Sequence, residues 1–281
     1  LDTNTVFIGA DDGYFFKTLD GGTTWDTTVM ATDDDLDGGV AFTSALNGIV
    51  FDDGTDGIIH VTDDGGDSWS DYALTKPFGT ISKRMYTCST AGTSTFIVAG
   101  YHNMRWVSND NGVSWTQTGE ISYGYDRIVK VQAIDENNFI ALNSDSDVFT
   151  TTDGGTTWDT LAIGSAQSGQ AMAFSSLSNG WIWTSYNQIY TTTDGSTFEP
   201  VYEWPAIPFY AIDFAGEDEI LVTANYGGEI TKSTDGGATW SYPTNAATGA
   251  KSSIYEITFL DDEVGLAGGS AGLILKTTDG G

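Results

Sequence analysis

Short apolar runs alternate with polar turns along the whole chain. Val40-Ala41-Phe42, Ile49-Val50-Phe51 and Ile58-Ile59-His60-Val61 are separated by Ser44 to Gly48 and by the Asp52-Asp53-Gly54 cluster, and a fourth run passes through Trp69 and Tyr72. Further on, Val131 to Ile134, Phe139 to Leu142, Val148 to Thr151 and Thr157 to Leu161 repeat the arrangement. Runs this short, rich in β-branched and aromatic residues and bounded by Gly, Asp and Asn, predict antiparallel strands. No stretch sustains a helical period with caps, so the expectation is an all-β chain.

The third and fourth runs of each group are joined by a recurring motif, Ser/Thr-x-Asp-x-Gly-x-Thr/Ser-Trp. It stands at Thr18 to Trp25, Thr62 to Trp69, Ser108 to Trp115, Thr151 to Trp158 and Ser233 to Trp240; Thr192 to Phe198 is a shortened copy, and Thr277 to Gly281 carries the start of another. The motif aspartates are Asp20, Asp64, Asp110, Asp153, Asp194, Asp235 and Asp279, roughly 41 to 46 residues apart. That period, with four strands in each, is the pattern of a propeller blade. The motif chemistry is architectural. Its carboxylate accepts backbone N–H groups of its own turn, its Gly takes positive φ, its hydroxyls add local bonds and its Trp packs between sheets. Near-copies in seven equivalent places read as staples rather than as catalytic acids.

These residues resemble the Asp-box, or BNR-type, repeats of sialidases, xyloglucanases, sortilin-type receptors and the propeller assembly factors of photosystem II. The resemblance spans essentially the whole chain. It implies a propeller with ligand sites on the face opposite the Asp-box turns, around the mouth of the central channel. It does not choose a function, because those relatives include both enzymes and binding proteins.

Residues 1–281 are therefore expected to form a single seven-bladed β-propeller domain of four-stranded antiparallel blades, with repeats of about 43 residues. Second-to-third-strand hairpins begin at Val6, Ile49, Phe96, Phe139, Trp181, Ile220 and Gly265. Leu1 to Gly22 aligns with Leu260 to Gly281 without a gap, so the first blade is expected without its inner strand and the last without its outer one. The missing strands are expected outside residues 1–281, which makes the chain part of a larger protein or complex.

Charge narrows the partners. The chain has 39 acidic and 10 basic residues and a formal charge of −29. Phosphate neutralisation needs basic surface, so nucleic acid is not an expected partner. No apolar run is long enough to span a membrane as a helix, and Leu1 to Asp11 lacks the basic-then-apolar pattern of a signal peptide. Screening by salt or divalent cations suits the acidity to an extracellular, cell-surface or periplasmic setting. Cys88, the single cysteine, reads as a small buried thiol.

Two groups of residues carry candidate chemistry. Arg84, Arg105 and Arg127, the only arginines, fall on the presumed ligand face in adjacent repeats, near Tyr101, Trp106 and Tyr125 and near Lys76, Lys83, Lys130, His102 and Tyr123. Such a patch suits a carboxylate, a sulfated glycan or an acidic loop of a partner; the competing reading is that the arginines bridge acidic loops of the chain itself. Their clustering differs from the arginine triad that the sialidase resemblance would imply, and Arg127-Ile128-Val129 is only a faint echo of that family's Arg-Ile-Pro. The second group, Asp33, Asp35 and Asp37 before Gly38, suits a Ca2+ loop, although Ser44 stands where an EF-hand has Glu. Its competing reading is a solvated acidic loop. Trp204, Pro205, Phe209 and Tyr226 suit either a glycan platform or packing, and Trp181 with Trp183 reads as inter-blade core.

The function these observations favour is an exported, non-enzymatic binding or scaffold propeller recognising a protein or a glycan. One alternative is a sialidase- or xyloglucanase-like glycoside hydrolase, with Asp126, Asp213 and Glu256 among its candidate carboxylates. The other is an assembly factor like the photosystem II propellers, against which the scarcity of arginine counts.

Overall fold

A computed structural model describes residues 4–30, 32, 35–36, 38–52, 54–74, 84–119, 126–163, 168–185, 188–203, 209–215, 221–225, 228–236, 239–241 and 252–280. The regular structure is β, apart from short 3-10 turns such as Asp11–Gly13 and Ser270–Gly272. The chain divides into two compact units, Leu1–Ser144 with Val148–Thr160, and Asp145–Asp147 with Leu161–Gly281.

The first unit is a series of antiparallel sheets whose strands lie side by side in chain order. β1 (Val6–Gly9), β2 (Tyr14–Thr18) and β3 (Asp26–Val29) form one sheet, and β4 (Gly39–Phe42), β5 (Gly48–Phe51), β6 (Ile58–Thr62) and β7 (Ser70–Ala73) form the next. β8 (Met85–Ala91), β9 (Thr95–Gly100), β10 (Arg105–Ser108) and β11 (Thr116–Thr118) follow, then β12 (Ile128–Ala133), β13 (Phe139–Asn143), β14 (Asp147–Thr151) and β15 (Asp159–Ala162). In the second unit the sheets are β16 (Gly169–Ser176), β17 (Asn179–Thr184), β18 (Gln188–Thr192) and β19 (Glu199–Glu203); β20 (Phe209–Phe214), β21 (Leu221–Asn225) and β22 (Ile230–Ser233); and β23 (Ile254–Phe259), β24 (Val264–Gly269) and β25 (Leu273–Thr278).

This is the architecture of a β-propeller, all-β with mainly four-stranded antiparallel blades. The runs expected around residues 40–72 and 131–161 are all strands, shifted only at their ends. One sheet expected to have four strands has three among the described residues: beside β22 stands only an isolated bridge between Lys232 and Ser241.

Packing follows from strand periodicity. Every residue of β9 is buried, and successive side chains point to opposite faces. Phe96 and Val98 join Ile49, Phe51 and Ile59 in one core, while Ile97 and Ala99 join Val131, Phe139 and Phe149 in another. One strand thus serves two inter-sheet cores. In the second unit Trp181 and Trp183 alternate along β17 and pack with Ile189 and Ile212, as expected for inter-blade core.

The Asp-box turns lock the outer hairpins. In the copy at Asp64, Thr62 Oγ1 donates to Asp64 Oδ1 at 2.8 Å and accepts the Gly66 N–H at 2.9 Å. The Ser68 N–H and hydroxyl donate to the two carboxylate oxygens at 2.9 and 2.6 Å. Asp20, Asp110 and Asp153 repeat these bonds. Gly66 has φ 88°, and a Cβ there would lie 2.5 Å from the Phe15 ring, so glycine is required twice over. Trp69 then meets Phe15 of the preceding sheet edge-on at 4.9 Å. Replacing Thr62 by the near-isosteric Val leaves the buried Gly66 N–H unpaired, and the expected loss is about 1–3 kcal/mol of stability in denaturant unfolding. An unchanged midpoint would contradict the staple.

Candidate functional site

The Asp-box aspartates are occupied within their own turns. Hydroxyl donation by Thr24 and Ser68, followed by the N–H groups of the same residues, holds the carboxyls of Asp20 and Asp64 down to about 2. Asp153 and Asp194 are also lowered, led by the N–H groups of Thr157 and Thr197. Such carboxylates stay ionised and are suited to bracing, not to proton transfer.

On the side of the second-to-third-strand turns, three predicted ligand residues come together. The guanidinium of Arg84 lies 5.9 Å, and that of Arg127 5.2 Å, from the ring centroid of Tyr86. Tyr101 is 6.5 Å from Tyr86, and His102 meets Tyr101 edge-on at 4.4 Å. Backbone contacts hold the group: the Tyr101 N–H donates to the Arg84 carbonyl at 2.9 Å, Tyr101 bridges Arg127, and the Ser144 N–H donates to the Arg127 carbonyl at 2.8 Å. A Cβ at Gly100 would lie 2.1 Å from the Arg84 carbonyl, so only glycine lets these segments meet. His102 and Asn103 turn the hairpin with φ of 58° and 56°, a conformation Asn and His tolerate better than most residues. Arg127 is exposed, and Arg84, Tyr86, Tyr101 and His102 are half-buried.

Two of the six candidates, Arg105 and Trp106, do not join this group. Arg105 was expected in a connection, but it begins β10, paired with Ala99 on one side and Thr118 on the other. It is 1% exposed, with its guanidinium 4.5 Å from the Phe149 ring and 4.4 Å from that of Trp158. Burial lowers its pKa to about 10, so it stays charged at neutral pH. Trp106, also 1% exposed, belongs to the core with Phe96 and Met104. Tyr125 lies outside the described residues, as do Lys76, Lys83, Tyr123, Trp204, Pro205 and Tyr226 and the side chain of Phe209. Tyr86 was passed over in the sequence. Its signal would have been its place two residues after Arg84 in an inner strand.

The profile of the family described as photosynthesis system II assembly factor YCF48 matches residues 2–278. The chain belongs to this family. Among solved structures, YCF48 from Cyanidioschyzon merolae superposes with a TM-score of 0.78 at 20% identity, over 99% of this chain and 96% of that one. A structure of YCF48 bound to D1 peptide gives a TM-score of 0.56 at 18% identity, over 85% of this chain and 92% of that one. At these identities the likeness to the YCF48 structures is one of fold. No curated protein matches the chain.

In this YCF48-family chain the expected Ca2+ loop is only partly described. Asp35 Oδ1 accepts the Asp12 N–H at 2.9 Å and so braces a neighbouring turn; Asp33 and Asp37 lie outside the described residues. Among the described residues no group of three or more His, Cys, Asp or Glu is placed to hold a metal ion. Of the carboxylates considered for a hydrolase, Asp213 is engaged on both oxygens, by the N–H groups of Phe214 at 2.9 Å and Phe259 at 2.7 Å.

A further titratable group lies within the second sheet. His60 is buried, with Nδ1 2.7 Å from Asp71 Oδ1 and Nε2 3.8 Å from Asp52 Oδ2. Burial alone would lower the His60 pKa, but the two carboxylates outweigh it and raise it above 6.5.

Three outcomes follow. The raised His60 pKa contributes stability that is complete below about pH 6.5, the unfolded value, and is lost as pH rises through the folded value. Melting temperature should therefore fall over that window in the wild type and fall less in His60→Gln; identical pH profiles would refute the coupling. Arg105→Ala removes packing beneath Trp158 and Phe149 and is expected to cost about 2–4 kcal/mol. Arg127→Ala, at an exposed position, should change unfolding by no more than about 0.5 kcal/mol.

Proposed function

We propose that this chain acts as a YCF48-type assembly factor, holding a peptide segment of a protein partner at Arg84, Tyr86, Tyr101 and Arg127. The observation that carries the reading is the convergence of two guanidinium groups on one tyrosine ring. Two guanidinium groups beside the same ring can both donate charge-assisted hydrogen bonds to one carboxylate. The half-buried Tyr86 and Tyr101 offer apolar faces to the rest of the segment. The family match and the D1 peptide held by one structural relative support a peptide as the occupant. This reverses the order drawn from sequence, where a glycan- or protein-binding exported scaffold ranked ahead of the assembly factor.

The finer features of the reading are proposals as well. The sheets are taken as the blades of one seven-bladed domain, and the role as non-enzymatic. An exported location, extracellular or periplasmic, is supported only by the acidic composition.

Calorimetric titration with the D1 peptide tests the function. Arg84→Ala and Arg127→Ala should each weaken Kd about tenfold, as loss of a charge-assisted contact does, while melting stays within about 1 °C of wild type. Binding indifferent to both substitutions, or turnover of any fluorogenic glycoside, would overturn the reading.

A further inference from the structure

One irregularity recurs in the inner strands. The register slips by one residue between Met85 and Thr87, Ile128 and Lys130, Gly169 and Ala171, Phe209 and Ala211, and Ile254 and Glu256. The extra residues are Tyr86, Val129, Gln170, Tyr210 and Tyr255. A bulge interrupts the alternation of faces along a strand. In β23 it leaves the neighbours Tyr255 and Glu256 both exposed, Tyr255 by 53%.

Tyr210, the bulged residue of the adjacent β20, meets Tyr255 edge-to-face, with ring centroids 5.8 Å apart at 72°. Across the ladder β24 presents glycine: Glu256 pairs with Gly268 and Ile254 with Gly269. Among the described residues, a Cβ at Gly268 would meet no atom within 4 Å. An aromatic pair and an exposed carboxylate therefore adjoin in the second unit, across the ladder from a glycine.

We propose that Tyr210, Tyr255 and Glu256 form a subsite for a cationic side chain, an arginine or lysine of a protein partner. Tyrosine faces carry negative quadrupole potential that attracts a cation, and the carboxylate supplies the opposite charge. A formal charge of −29 raises the local concentration of cationic segments. A neutral sugar would stack on the tyrosines but would gain little from Glu256, so charge complementarity selects the cation. At the equivalent bulge in the first unit Tyr86 meets two arginines, so the same strand position serves the opposite sign. The inference stands apart from the peptide site at Arg84 and Arg127.

NMR titration of the isotopically labelled chain with N-acetyl-argininamide tests it, with N-acetyl-citrullinamide as the uncharged analogue and methyl β-glucopyranoside as a sugar. The expected result is saturable shifts at the Tyr210 and Tyr255 rings and the Gly268 and Gly269 amides. Affinity should be at least fivefold weaker for the citrulline probe and for Glu256→Gln. Tyr255→Leu, which keeps apolar bulk but removes the π face, should abolish saturation while leaving distant amide shifts unchanged. Equal response to the citrulline probe, preference for the sugar, or diffuse shifts insensitive to both substitutions would overturn the proposal. If Tyr255→Leu fails to fold, the loss of affinity in Glu256→Gln decides between the two outcomes.

Discussion

A buried hydroxyl at the start of six of the Asp-box turns is the contact on which the rest of the structure depends. Thr18, Thr62, Ser108, Thr151, Thr192 and Ser233 are each no more than 2% exposed. Each donates to its motif aspartate, and those of complete motif copies such as Thr18, Thr62, Ser108 and Thr151 also accept the N–H four residues on. Without that hydroxyl, a buried backbone donor would have no partner at the point where the chain reverses. The aspartate is the outer half of the same device, which is why it stays ionised and exposed. Turns fixed in this way set the register of the outer hairpins, and the register decides which side chains enter the cores.

The same logic explains how much was legible beforehand. Strand positions and Asp-box turns rest on local chemistry and a period of two, both visible in the residues themselves. The Arg84 and Arg127 grouping was visible because both residues flank inner strands in adjacent repeats. Arg105 was misplaced because the hairpin after β9 is tight: Gly100 to Met104 complete the turn, and β10 begins one residue earlier than a loop reading assumes. Tyr86 was missed because the bulge that aims it belongs to the pairing of two strands, and nearness to Arg84 in the sequence was its available signal.

Arginine content also misled the functional ranking. Three arginines in 281 residues looked too few for a peptide-binding surface. What matters is where they converge. Two guanidinium groups meet at one tyrosine ring, the place proposed for an anionic group, whereas the third arginine is sealed between Phe149 and Trp158.

The proposed anionic occupant is compatible with so acidic a chain because electrostatics in salt water is local. At physiological ionic strength the Debye length is about 8 Å, so exposed aspartates farther away are largely screened. Within that radius Arg84 acts from half-buried surroundings, where the effective dielectric is lower, while Arg127 is exposed. Asp110 and Asp153 stand at the other ends of the strands in these two sheets, and their negative charge is partly spent on their own turn hydroxyls and N–H groups. Net charge describes solubility and long-range encounter; the sign of a binding site is set by the few groups that the strand register brings within a few ångströms.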